Sequence, residues 1–120
     1  MKALILVDHG SSVDEANQIL KQICFNLRNH PNTGFDIIEY CHMELSEPTI
    51  KQAIDTCVRK GAEKIVVHPY FLVPGRHSKS DIPRMVKEAS LDHKNLDYKV
   101  TEPLGIHEKI LEVVIERANQ

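Results

Sequence analysis

Tryptophan is absent from this 120-residue chain, and tyrosine and phenylalanine number only three each. No run of lysines or arginines occurs, and 15 basic against 17 acidic residues leave a formal charge of −2. A nucleic-acid-binding surface therefore lacks its usual electrostatic footprint. Long apolar runs are missing too. The longest, Ala3 to Val7, falls far short of the roughly 20 residues that cross a bilayer. It is also too short for a signal-peptide core and leads straight into Asp8 and His9. Cysteine is scarce: Cys24, Cys41 and Cys57 are odd in number and never spaced as CxxC, which suits reduced thiols rather than a disulfide framework. A cytoplasmic protein is expected.

What is present fits one compact domain over residues 1–120, since 42% of the residues are apolar and the length is near the modal domain size. Lys2 to Val7 reads as a buried strand, broken by Asp8-His9-Gly10-Ser11-Ser12. Val13 to Arg28 predicts a helix with Val13, Ala16, Ile19, Leu20, Ile23 and Leu27 on its apolar stripe. Phe35 to Cys41 is a second strand, and Glu47-Pro48-Thr49 opens a second helix with Ile50, Ala53, Ile54, Cys57 and Val58 on one face. Glu63 to Leu72 contains the third strand, a third helix starts near Ser80-Asp81-Ile82-Pro83 and runs toward Ser90, and Leu96 to Thr101 is a weaker fourth strand. Gly105 to Ala118 closes the chain as a helix with Ile106, Ile110, Leu111, Val114 and Ile115 on the side expected to be buried. The order βαβαβαβα argues for an α/β fold, a four-stranded parallel sheet with helices on both faces and right-handed crossovers.

Seven histidines are many for this length, and five of them (His9, His42, His68, His77 and His107) fall at the predicted carboxyl ends of strands. Ligands bind at that edge of an open parallel sheet, because its loops converge and helix N-termini point into the crevice. Gly10 lets the chain turn tightly after His9, and His77 follows Gly75 in the same way. In the common strand order 2-1-3-4 both would emerge side by side, able to grip one divalent cation with Glu44 joining them, the alternative for Glu44 being a charge at the N-terminus of the second helix. Two imidazoles and a carboxylate leave coordination positions open, as a catalytic site requires. For His30 and His93 the ordinary reading, a surface-loop histidine, is preferred. His42 and His68 stand evenly between a supporting role, extra ligation and simple burial. Tyr70-Phe71-Leu72-Val73, bracketed by Pro69 and Pro74, reads either as core anchors or as an apolar pocket wall.

These blocks carry a family likeness: Asp8-His9-Gly10-Ser11, Glu44-Leu45-Ser46-Glu47-Pro48, Pro69-Tyr70-Phe71-Leu72-Val73-Pro74-Gly75-Arg76-His77 with Asp81-Ile82-Pro83, and Pro103-Leu104-Gly105. Over essentially its whole length the chain resembles the sirohydrochlorin chelatases, in the short single-lobe form called CbiX. The resemblance implies a lyase that inserts cobalt, iron or nickel into sirohydrochlorin or a related tetrapyrrole, in cobalamin- or siroheme-type biosynthesis. It implies His9 and His77 as metal ligands and Glu44 as ligand or proton acceptor. The metal is then a substrate, and no organic cofactor is expected. Sirohydrochlorin carries eight carboxylates, so Ser11, Ser12, Arg76, Lys79 and Arg84 become candidate anchors beside a wall of Tyr70, Phe71 and Leu72. For Arg76 and Arg84 an exposed, solvated charge is an equally good reading. The sequence departs from the family pattern at His42 and His68, where apolar residues are usual, and no His-rich or iron–sulfur extension is expected.

Other classes compete. A non-catalytic carrier of metal or tetrapyrrole would use the same histidines. A histidine phosphatase would need an arginine beside its nucleophile, where Asp8 precedes His9. A receiver domain would need an acidic pair at the first strand and a central aspartate, which are missing. Longer chelatases place two lobes across the active-site cleft, so the resemblance also implies a homodimer around the tetrapyrrole.

Overall fold

The computed structural model describes every residue except Pro74, Arg76 and His77, with Ser78 described by its backbone alone. Eight elements alternate: β1 (Lys2–Asp8), α1 (Asp14–Arg28), β2 (Ile37–His42), α2 (Ile50–Arg59), β3 (Lys64–Pro69), α3 (Ser78–Ala89), β4 (Asp97–Val100) and α4 (Glu108–Ala118). All four strands are parallel, in the order β2-β1-β3-β4. The α/β class and the 2-1-3-4 order read from the sequence both hold.

Alternation along β1 divides its side chains between two cores. Ala3, Ile5 and Val7 face Ile65 and Val67 of β3, Ile54 and Cys57 of α2, and Ile82 and Val86 of α3. Leu6 faces the other way and packs with Ile38, Leu20 and Cys24 under α1. Helix α2 begins where expected because Thr49 closes a capping box: its side chain accepts from the Gln52 N–H while the Gln52 side chain accepts from the Thr49 N–H. Helix α1 is placed electrostatically, with Asp14 and Glu15 in its first turn and Arg28 in its last.

Three expectations need correction. On α1, Val13 is an exposed N-cap and Ile19 is exposed as well, whereas Asn17, Leu20 and Cys24 are the buried residues. The stripe is shifted because the loop after β1 draws Asn17 inward. Helix α3 starts at Ser78, so Pro83 lies inside the helix rather than at its first turn. On α4 no residue is buried: Ile106, Leu111, Val114 and Ile115 are all exposed, and Ile110 is only half-buried. Its apolar stripe is real, but among the described residues none buries it, Ile110 alone being partly covered.

Candidate active site

The sheet register brings the exits of three strands together. Val7 pairs with Cys41 and with Pro69, and Asp8 pairs with His42. Beyond those pairs the backbone keeps the exits joined: Met43 N–H donates to the Asp8 carbonyl at 2.8 Å, Glu44 N–H to the His9 carbonyl at 3.1 Å, and Tyr70 N–H to the Val7 carbonyl at 2.6 Å. Gly10 adopts φ +87°, and a Cβ there would run into the Glu44 carbonyl. Only glycine lets the two loops approach so closely.

His9 emerges from this junction exposed, with its imidazole stacked on Phe71 at a centroid separation of 4.6 Å and an interplanar angle of 24°. The stacking limits rotation of the ring without consuming either nitrogen. Glu44 is exposed as well, and its backbone is bonded to that of His9. Two of the three expected metal ligands are therefore neighbours. His77, the third, lies outside the described residues, as does Arg76. Among the described residues, no group of three or more histidines, cysteines, aspartates and glutamates is placed to hold a metal. The cysteines are unsuited to help: all are buried, burial raises the thiol pKa of Cys24 and Cys41 and pushes Cys57 to about 12, and only a thiolate ligates well.

The remaining expected residues divide by what they touch. Ser11 supports the loop, since its N–H donates to Asn17 Oδ1 at 3.0 Å, its carbonyl accepts from Asn17 Nδ2 at 2.8 Å, and its hydroxyl accepts from the Val13 N–H. Ser12 is exposed and Tyr70 packs toward the α1 core, away from the core Phe71 joins. Lys79, at the start of α3, lines a cavity of about 200 Å³ with Phe71, Thr101 and Glu102. Leu72 is exposed, and so are Leu45, Val73 and Ile106 on loops of the same edge. Arg84 is engaged by Asp81 and Glu88 of its own helix. A larger hollow of about 820 Å³ lies at the start of β2, but its Arg28 and Lys60 are both spent on Glu39.

The other histidines separate as well. His42 is fully buried with Nδ1 2.6 Å from Asp8 Oδ1. His68 is half-buried with Nδ1 2.9 Å from Thr101 Oγ1, and burial lowers its pKa below the ordinary 6.5 against an opposing bond to the Glu102 backbone. His107 caps α4 by accepting from the Lys109 N–H. His93 binds Asp55 at 2.8 Å, and His30 contacts the Pro31 carbonyl. Asn17 is the supporting residue that sequence reasoning missed. The one available signal was a polar residue three and seven positions before the buried Leu20 and Cys24.

The model of the CbiX family matches residues 3–120 of this chain. The chain belongs to the CbiX family. Among curated relatives, it is 43% identical over 114 residues to the chloroplastic sirohydrochlorin ferrochelatase of Arabidopsis thaliana, covering 95% of this chain and 50% of that protein. The sirohydrochlorin cobaltochelatase of Sulfolobus acidocaldarius is 35% identical, with 100% of this chain and 92% of the relative covered. Among solved structures, the sirohydrochlorin chelatase SirB from Bacillus subtilis in complex with cobalt superposes with a TM-score of 0.89 at 30% identity, over 98% of this chain and 50% of that one. This CbiX chain thus spans about half the length of the Arabidopsis and Bacillus proteins and nearly all of the Sulfolobus one.

Proposed function

We propose that this chain inserts a divalent metal, cobalt, iron or nickel, into sirohydrochlorin or a closely related tetrapyrrole. The observation that carries the reading is the junction of β1 and β2, which sets His9 and Glu44 side by side on the exposed carboxyl edge of the sheet. Chelatases of this name in the same family support it. Insertion exchanges two pyrrole N–H protons for one M²⁺. His9 and His77 are assigned as ligands that hold the ion loosely, and Glu44 as the acceptor of one ring proton, the other passing to solvent at the exposed edge. Phe71, Leu72 and the exposed Leu45, Val73 and Ile106 offer apolar surface to the macrocycle, while Ser11, Ser12, Arg76 and Lys79 are its candidate polar contacts; Tyr70, turned toward the α1 core, is not among them.

The working unit is a homodimer of two such lobes. His9 and Glu44 stand exposed on an open edge, and the cavity of about 200 Å³ next to it, lined by Phe71 and Lys79, is smaller than the roughly 300–1,000 Å³ of an ordinary ligand pocket. One lobe therefore supplies one wall. The Arabidopsis and Bacillus relatives are about twice as long as the matched region, leaving length for a second lobe. The uncovered apolar face of α4 needs a partner, and a second copy of this chain is the occupant we assign. No described helix is long and apolar enough to cross a membrane, and three free, buried thiols suit a reducing cytoplasm.

The test is anaerobic metal insertion into sirohydrochlorin followed by absorbance, with cobalt(II), nickel(II) and iron(II) in turn. Substituting His9→Ala or His77→Ala should lower the rate by about 100-fold or more, in line with loss of a group acting at the reacting atoms. Undiminished rates in both variants would remove the assignment. Tight binding of metal and macrocycle without turnover by the parent protein would make it a carrier.

A further inference from the structure

His42 is 1% exposed, and its environment explains why a histidine stands there. Its N–H donates to the Pro48 carbonyl at 2.8 Å, and its ring lies edge-on to Tyr40 at a centroid separation of 5.8 Å. Nδ1 is 2.6 Å from Asp8 Oδ1, and the same oxygen accepts the Gly10 N–H at 3.1 Å. One carboxylate oxygen thus takes a donor from β2 and a donor from the turn that follows β1. Asp8 immediately precedes His9, and Glu44 lies two residues beyond His42. The backbone bonds from Met43 to Asp8 and from Glu44 to His9 close the same junction. Buried, and with Nδ1 engaged, His42 is not placed to be an additional metal ligand.

We propose that His42 is a positioning residue: through Asp8 it holds the turn carrying His9 in register with Glu44, and so sets how tightly the metal substrate is held before insertion. This rests on the reading that His9 and Glu44 handle the metal. A pair that served stability alone would leave metal binding untouched when replaced by apolar bulk. Outer partners of metal-handling groups instead change affinity when removed.

The experiment titrates the full-length protein anaerobically with cobalt(II) alone, recording visible absorption and the dissociation constant, with a melting curve for each variant. His42→Asn carries an amide N–H at the place of Nδ1 and should stay close to the parent in both spectrum and affinity. His42→Leu keeps the bulk but not the donor, and should weaken cobalt binding by about tenfold or more with an altered spectrum. Should His42→Leu not fold, His42→Gln replaces it, since its amide sits at the Nε2 position and cannot serve Asp8 in the same way. The same weakening is expected. Parent-like affinity and spectrum in His42→Leu or His42→Gln would overturn the proposal, as would equal losses in His42→Asn. A parent protein that binds no cobalt would instead overturn the chelatase reading on which it rests.

Discussion

At the scale of single residues, the site depends on one backbone conformation. Gly10→Ala puts a Cβ at φ +87° and against the Glu44 carbonyl, whereas Gly34→Ala faces the same strain at φ +85° with nothing within 4 Å. The strain alone costs about 1–2 kcal/mol. Gly10→Ala should therefore lower the melting temperature clearly more than Gly34→Ala and impair cobalt binding, while Gly34→Ala leaves binding intact. Equal losses in both variants would show that the close approach does not matter. His68 yields a second expectation. Burial disfavours its charged form, so between the lowered folded value and the unfolded 6.5 the unfolded chain binds more protons. Stability then rises with pH through that interval and falls as pH drops below 6.5. Urea midpoints measured from about pH 7 down to about pH 5 should fall more steeply in the parent than in His68→Asn, because only the parent carries this titrating group. His9 and Glu44 were legible in the sequence because each follows an apolar strand in a stretch of turn residues. Asn17 was not, since an asparagine within a helical stripe reads as a gap until the loop it binds is in view.

At the scale of elements, seven of the eight are held by their own sequence and their neighbours. Helix α2 carries its apolar face in Ile50, Ala53, Ile54 and Cys57, which was readable from spacing along with a start at Glu47-Pro48-Thr49, whereas the Gln52 half of its cap appears only in the structure. Helix α4 differs. Its stripe has the same periodicity, yet every member is at least half-exposed or only partly buried. Periodicity reports that a face seeks cover, but not which chain supplies it. Replacing Leu111 and Ile115 together by Glu should leave the fold and its melting curve nearly unchanged in the isolated lobe, because neither side chain is buried. Sedimentation equilibrium should show a dimer for the parent and a monomer for the double variant, with chelatase activity lost alongside the dimer. A monomeric parent that is fully active would exclude the paired-lobe arrangement.

In the whole molecule, the alternation of strands and helices was legible in the chain alone, because short apolar runs, helical spacing and the Gly and Pro punctuation are local properties. The sequence also determined which residues lie at strand exits, and hence where histidines concentrate. Tertiary structure decided the rest, because contacts between residues far apart in the chain depend on register and crossover. The pairing of Asp8 with His42 follows from β1 lying against β2 in a particular register, and His9 meets Phe71 because β3 flanks β1 on the other side. Whether a histidine binds a neighbour, caps a helix or stays exposed at the sheet edge follows from those contacts. In the sequence His9, His42 and His107 share one property, a place at the carboxyl end of a strand. In the fold one is locked to a carboxylate, one caps α4, and one is stacked on Phe71 and exposed.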